Sequence, residues 1–237
     1  ERPGGHSPAY FAVLNAVVPT NLVWRNDPVS FDNYPTFFLA HELAHQWWGQ
    51  AVGGKNYHEQ WISEGFAQYF ATLYAEKSRS TQVVANVLRQ MRQTAIASSD
   101  EGPIYLGYRL GHIQGDDRIF RAIVYNKGAM VLHMLRRLVG DDRFFAGLRS
   151  FYEQFKFRKA GTDDFRIAME QASGRDLHRF FQTWIYGAAV PRVKFERQTT
   201  GGEARLRFEQ RGEIADVPVT VTIAYASGAS EDVVIPL

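Results

Sequence analysis

Cysteine is absent from the 237 residues. That excludes disulfides and any thiolate-held metal, and it leaves the cellular compartment open. A strong charge of either sign is absent too. Lys and Arg number 27 against 25 Asp and Glu, a formal balance of +2, which creates no field for a polyanion. There is no basic run and no zinc-knuckle spacing, so no nucleic-acid module is expected. No stretch reads as a signal peptide or a membrane span. Internal repeats and low-complexity tracts are missing as well. What remains is a globular composition, 45% hydrophobic and 22% charged. A chain of this length can bury a large core in one or two domains.

The chemistry is concentrated in one short segment. His41-Glu42-Leu43-Ala44-His45 is followed, after an eighteen-residue gap, by Glu64. On a helix, residues four apart are separated by about 40° around the axis and roughly 6 Å along it. Two imidazoles at that spacing reach one metal ion from one face. Zinc takes His nitrogen and carboxylate oxygen at about 2.0–2.2 Å, and a catalytic zinc site keeps a fourth position for water. Glu42 is one step from His41 and points to a neighbouring azimuth, toward that water. His41, His45 and Glu64 are therefore the expected ligands of one zinc ion (Zn2+) per chain, and Glu42 the expected general base. The surroundings suit a helix over 37–49, opened by Pro35 or Thr36 and stopped at Gly49. A second helix over 59–76 presents Glu64 among Trp61, Phe66, Tyr69 and Phe70. A carboxylate in such company needs a partner, because burying it unpaired is costly. A metal is that partner.

These residues carry a resemblance. His-Glu-Leu-Ala-His-Gln-Trp-Trp-Gly at 41–49, the gap, and Ser-Glu-Gly-Phe-Ala-Gln-Tyr at 63–69 closely resemble the aminopeptidase N family of zinc metallopeptidases. These are gluzincins, in which a Glu on the following helix is the third ligand. Residues 124–132, Val-Tyr-Asn-Lys-Gly-Ala-Met-Val-Leu, resemble the family's Tyr-x-Lys-Gly-Ala segment. Its Tyr stabilises the tetrahedral intermediate, so the resemblance makes Tyr125 the second catalytic residue. Residues 180–187 resemble the end of the family's catalytic region. The likeness spans about residues 5–190. It implies a thermolysin-like zinc peptidase domain over 1–189 with its first part missing. A peptide substrate and aminopeptidase-like hydrolysis follow from it. The family's N-terminal domain is then a missing partner, and the chain reads as an excised piece.

Two departures qualify the resemblance. The family carries Gly-x-Met-Glu-Asn on an edge strand, and its Glu binds the substrate's free α-amine. The corresponding place here is Gly5-His6-Ser7-Pro8-Ala9-Tyr10, which has no carboxylate. Pro8 stands about where the Glu would fall, and Pro suits only an edge strand. Three readings stay open: an aminopeptidase using another acid, an endopeptidase-like relative, and a zinc-containing peptide-binding module with weak or no catalysis. The second departure is Gln68, one turn beyond Glu64, where relatives often have Glu. A metal-bound His usually donates its outer N–H to a carboxylate or carbonyl. An amide there orients less firmly and implies weaker zinc binding.

The rest of the chain supplies architecture. Residues 9–18 read as a strand, and 26–28 and 32–35 as loops. A half-exposed helix is expected over 80–97. Residues 98–117 read as a long irregular segment, with Tyr105, Tyr108, Arg109 and His112 as candidate substrate contacts. Helices follow over 120–139, 142–155, 162–172 and 176–186. Thr162 and Asp176 are the expected N-caps, and Gly140 and Gly174 the stops. Alternating segments at 193–197, 204–210, 217–225 and 231–235 predict a small antiparallel β-sandwich or partial sheet, a strand-rich C-terminal domain over 190–237. The expected fold class is mostly α with a small β part.

Overall fold

The computed structural model describes residues 5–14, 36–114, 117–201, 203–212 and 214–237. The loops expected at 26–28 and 32–35 lie outside the described residues. The chain opens with β1 (Gly5–His6), paired antiparallel to β2 (Val13–Leu14). This corrects the single strand expected over 9–18, of which 15–18 also lie outside the described residues. Residues 7–12 form the turn between β1 and β2. Pro8 has no N–H to give a ladder, its carbonyl accepts the Phe11 N–H at 3.3 Å, and Tyr10 turns the chain with a φ of 77°.

Helix α1 (Phe37–Ala44) ends earlier than its sequence suggests. After Ala44 the chain tightens, with Gln46 N–H bonded to Leu43 O and Trp47 N–H to Ala44 O, both at 3.1 Å. It then folds back, so that Val52 N–H reaches Trp47 O at 2.9 Å. Gly49 is the residue that permits this reversal, at a φ of 114°. A Cβ there would also collide with Ser63 Oγ. Gly49 is thus a turn residue beyond the helix, not its stop.

Strand β3 (Val52–Gly54) pairs parallel with β4 (Arg158–Ala160). Helix α2 (Gln60–Ser78) follows, then α3 (Thr81–Ala97). The Ser80 side chain caps α3 by accepting the Val83 N–H. Val87, Met91 and Ala95 are buried at intervals of four, and the other side of α3 is open to water. Residues 98–117 depart from expectation. They form 3-10 turns at Ser99–Glu101 and Ile104–Leu106, then α4 (Gly107–Gln114) and the start of α5 (Asp117–Phe120). Burial of Ile104 and stacking of Tyr105 on His58 supply the tertiary support that such short turns need.

Helix α5 runs through a π-helical segment (Arg121–Lys127) into α6 (Gly128–Val139). Helices α7 (Asp141–Phe155) and α8 (Thr162–Ser173) come next, and α9 (His178–Phe181) passes into a second π-helical turn, Gln182–Tyr186. α6 and α8 stop at Gly140 and Gly174, as expected. The N-cap of α8 is Gly161 rather than Thr162. Thr162 is already helical because buried Glu59 takes both its N–H, at 2.9 Å, and its hydroxyl, at 2.6 Å. Asp176 precedes α9 by two residues and accepts the His178 N–H at 2.8 Å, while Leu177 is the N-cap.

The core is aromatic. Phe66 packs on Trp48, Trp61 and Phe165 with ring centroids 4.8, 5.4 and 5.0 Å apart, and Phe165 packs on Phe151 at 5.2 Å. Among the described residues, no helix is long and apolar enough to cross a membrane. After Pro191 the expected strands form two antiparallel hairpins, a partial sheet in two pieces. One joins β5 (Arg192–Thr200) to β6 (Glu203–Arg211), and the other β7 (Pro218–Ala224) to β8 (Ser230–Pro236). The link between them is tied to the helices by Asp216, whose carboxylate pairs with Arg179 and whose carbonyl accepts Trp184 Nε1–H at 3.1 Å.

Candidate metal centre

Two close approaches bring the site together. A Cβ on Gly65 would lie 3.0 Å from Val124 O and 3.2 Å from the Cα of Gly128. Only glycine lets α2 meet the π segment and α6 this closely. Glu64, one residue earlier on α2, is thereby set beside Tyr125. The packing of α1 against α2 does the rest, delivering His41 and His45 to Glu64.

The three predicted ligands converge. His41 Nε2 and His45 Nε2 are 3.1 Å apart, and Glu64 Oε2 lies 3.4 Å from the first and 3.2 Å from the second. A tetrahedral ion held at about 2.05 Å needs donors about 3.3 Å apart. The three edges match that size, and the residues present fit a zinc ion. The tautomer fits as well. His45 Nδ1 lies 3.0 Å from the Trp48 carbonyl, which can only accept. The ring proton therefore sits on Nδ1, and the Nε2 lone pair faces the site. Ser63 Oγ, 3.2 Å from the same nitrogen, buttresses the ring.

The electrostatics suit a cation. Burial pushes the Glu64 carboxyl up, but hydrogen bonds and charge from His41 and His45 outweigh it and hold the group well below its ordinary range. Burial pushes His45 down, and Glu64 and the Trp48 carbonyl raise it above the ordinary imidazole value. Tyr125 stands parallel to the His41 ring, 5.7 Å between centroids. Burial, then the charge and hydrogen bond of Glu64, raise its phenol well above the usual value. Tyr125 lies within the π segment, a helical irregularity frequent at functional sites.

Glu42 is buried, and one partner of its carboxylate was not foreseen. Ser7 Oγ lies 2.6 Å from Glu42 Oε2 and 2.8 Å from the Glu42 carbonyl, so its one proton has both as acceptors within reach. Gln50 Nε2 holds the Ser7 carbonyl at 2.7 Å. Gln46 grips the same turn, donating to Pro8 O at 3.0 Å and accepting the Tyr10 N–H at 2.7 Å. The turn that lacks the amine-binding carboxylate is thus clamped over Glu42. No sequence signal marks Ser7, since a lone hydroxyl reads as loop chemistry. Gln68 donates to Asn126 Oδ1 at 3.1 Å, tying the ligand helix to the residue after Tyr125. Of the candidate substrate contacts, Tyr105 stacks on His58 at 4.8 Å and Tyr108 on Tyr57 at 4.9 Å.

Comparison with known proteins identifies the family and the fold. Residues 26–184 match the peptidase family M1 domain. Glutamyl aminopeptidase of Bitis rhinoceros is 29% identical over 205 residues, which are 82% of this chain and 21% of the relative. Aminopeptidase M1-B of Oryza sativa subsp. japonica is 33% identical over 158 residues, 65% of this chain and 18% of the relative. A mutant M1 zinc metallopeptidase of Deinococcus radiodurans, solved with a Tyr-Ser-Ala substrate, superposes with a TM-score of 0.60. At 24% identity over 81% of this chain and 39% of that one, it shows a shared fold. The chain spans about a fifth of the length of these curated relatives, 21% and 18%.

Proposed function

Because the chain belongs to peptidase family M1, we propose that it carries out zinc-dependent, aminopeptidase-like hydrolysis of peptide bonds. The observation that carries this reading is the set of three donor atoms spaced 3.1, 3.2 and 3.4 Å apart. In this reading residues 1–189 are the catalytic unit and 190–237 a strand-rich appendage without chemistry. Zinc held by His41, His45 and Glu64 supplies Lewis acidity, which polarises a scissile carbonyl and makes water nucleophilic near neutral pH.

The remaining steps belong to the chain's own side chains. Glu42 takes the proton of the attacking water and passes it to the leaving amine. Ser7 fixes one carboxylate oxygen, Oε2, and leaves Oε1 for this transfer. Tyr125 keeps its proton at neutral pH, since burial and Glu64 hold it there. It therefore donates a hydrogen bond as charge builds on the former carbonyl oxygen. Such a donor is worth about 100- to 1000-fold in rate. Glu42→Gln is expected to keep its zinc, by metal analysis, and to lose at least about 1000-fold in turnover. Full turnover in that variant discards the mechanism.

A second reading has one observation in its favour. The turn at residues 7–12 offers no carboxylate, and Ser7 is already committed to Glu42. An enzyme without an amine anchor accepts internal peptide bonds. Matched peptides with free and acetylated N-termini separate the two. Aminopeptidase action requires the free terminus, whereas equal kcat/KM on both makes this an endopeptidase-like relative.

A further inference from the structure

Gln68 follows Glu64 by one turn of α2, so the two share a face of that helix. Its amide is fully buried, and a buried amide needs partners. Its Nε2 donates to Asn126 Oδ1 at 3.1 Å. Asn126 is only 2% exposed and directly follows Tyr125 in the π segment. One hydrogen bond thus joins the helix of a metal ligand to the segment that carries Tyr125.

Packing alone fixes less than this bond does. Gly65 and Gly128 face each other with no side chain between them, since a Cβ on either would lie 3.2 Å from the other's Cα. So smooth a contact sets how closely the two elements approach but resists rotation of one against the other only weakly. A hydrogen bond is directional and weakens steeply when bent. Rotation matters because Tyr125 is a lever. A Tyr hydroxyl stands roughly 8 Å from its helix axis, so a turn of about 10° moves it by about 1.4 Å. A misplacement of about 1 Å can cost about 100-fold in rate.

We propose that Gln68 and Asn126 are positioning residues, whose hydrogen bond holds the π segment in the rotation that points Tyr125 at the metal centre. This role rests on the peptidase reading above, in which Tyr125 is the oxyanion donor. A pair that acts through Tyr125 can cost no more than the loss of Tyr125 itself, about 100- to 1000-fold. A pair that only stabilised the fold would lower stability and leave the turnover of folded protein alone.

The test uses the zinc-loaded full chain and a free or N-acetylated peptide, whichever is cut faster. Gln68→Met keeps the side-chain length and removes the donor. It is expected to lower kcat about 10- to 100-fold and to leave KM within about twofold. Tyr125→Phe has no hydroxyl to misplace, so adding Gln68→Met to it is expected to cost less than about twofold more. Zinc affinity is expected to stay within about threefold, whereas loss of a partner that orients a ligand costs about 10- to 100-fold. Amide exchange in the π segment (Arg121–Lys127) is expected to rise at least about tenfold. Unchanged kcat, unchanged exchange, an equal further loss in Tyr125→Phe, or a larger fall in zinc affinity overturns the proposal. Asn126→Leu removes the same bond from the other side and decides in the same way should Gln68→Met fail to fold. An unaltered chain that cuts neither peptide, or a Tyr125→Phe variant of full speed, counts against the peptidase reading instead. Exchange, which needs no turnover, then decides alone: a rise in the π segment upholds the clamp, and no rise overturns it.

Discussion

In α8, Thr162, Phe165, Ala168 and Met169 are buried, a stripe at helical spacing. In β5, eight of nine residues are exposed and the ninth is half-buried. The buried faces of the helices join one core cluster rich in aromatic rings. The hairpins close over almost nothing, and a lone two-stranded hairpin is marginal in water. Their order comes from their own ladders and from a few polar links to the helices: Asp216 with Arg179 and Trp184, and Thr220 and Asp232 with Arg137. The difference teaches where the chemistry is safe. A zinc site tolerates sub-ångström error only if its ligands stand on elements that pack themselves. His41, His45, Glu64 and Tyr125 all stand on, or directly after, such elements.

One pair of Phe substitutions tests the contrast most strongly. Phe165 is fully buried among Trp61, Phe66 and Phe151. Phe165→Ala is expected to cost about 3–5 kcal/mol in urea unfolding. Phe195, 53% exposed across from Phe208, is expected to cost less than about 1 kcal/mol as Phe195→Ala. Equal losses would mean that the hairpins belong to the same cooperative core.

That same contrast explains what the sequence disclosed. The convergence of His41, His45 and Glu64 was legible in two steps: the histidines are four apart, which is helix spacing and local, and Glu64 is a carboxylate set among aromatic residues, which calls for a partner. The hairpins were legible because strand alternation is local too. The end of α1 was misplaced because the chain leaves the helix after Ala44 to fold back onto Val52, a pairing with no signal in the composition of 45–49. The short helices over 99–114, within the segment 98–117, were read as loop because their glycines signal turns, while packing of Ile104 and Tyr105 decides otherwise. The π segment leaves no composition signature, since only its hydrogen bonding differs from α-helix. Ser7 and Gln46 were invisible for the same reason. Their meaning arises 35 and 38 residues away, where Ser7 reaches Glu42 and Gln46 reaches back to Pro8.

A smaller effect sharpens the comparison through pH. The hairpins contain no histidine; the last in the chain is His178. His133 is buried in α6, where burial, then Arg137 and Arg136, hold it at about 4 against an ordinary 6.5. A lowered imidazole means that the unfolded chain takes up the proton first. The stability is present above about 6.5 and is lost as the pH falls toward 4. At pH 5 the loss is on the order of 2 kcal/mol. His133→Leu is expected to flatten the urea midpoint between pH 7 and 5. An unchanged acid slope would place the weak point elsewhere in the helices.

The smallest expected effect concerns the tether. Arg179 is largely exposed and Asp216 is largely covered, a surface pair of the kind worth about 0.2–1 kcal/mol. Asp216→Ala removes the carboxylate but keeps the carbonyl that Trp184 Nε1–H bonds. The helical unfolding midpoint should therefore barely move. Hydrogen exchange should rise in β7 and β8, because local opening follows the loss of a local anchor. It should not rise in α2 or in the π segment, where Glu64 and Tyr125 stand. Were exchange to rise around Glu64 instead, the hairpins would be bracing the metal ligands, and the helices could not be credited with holding the site alone.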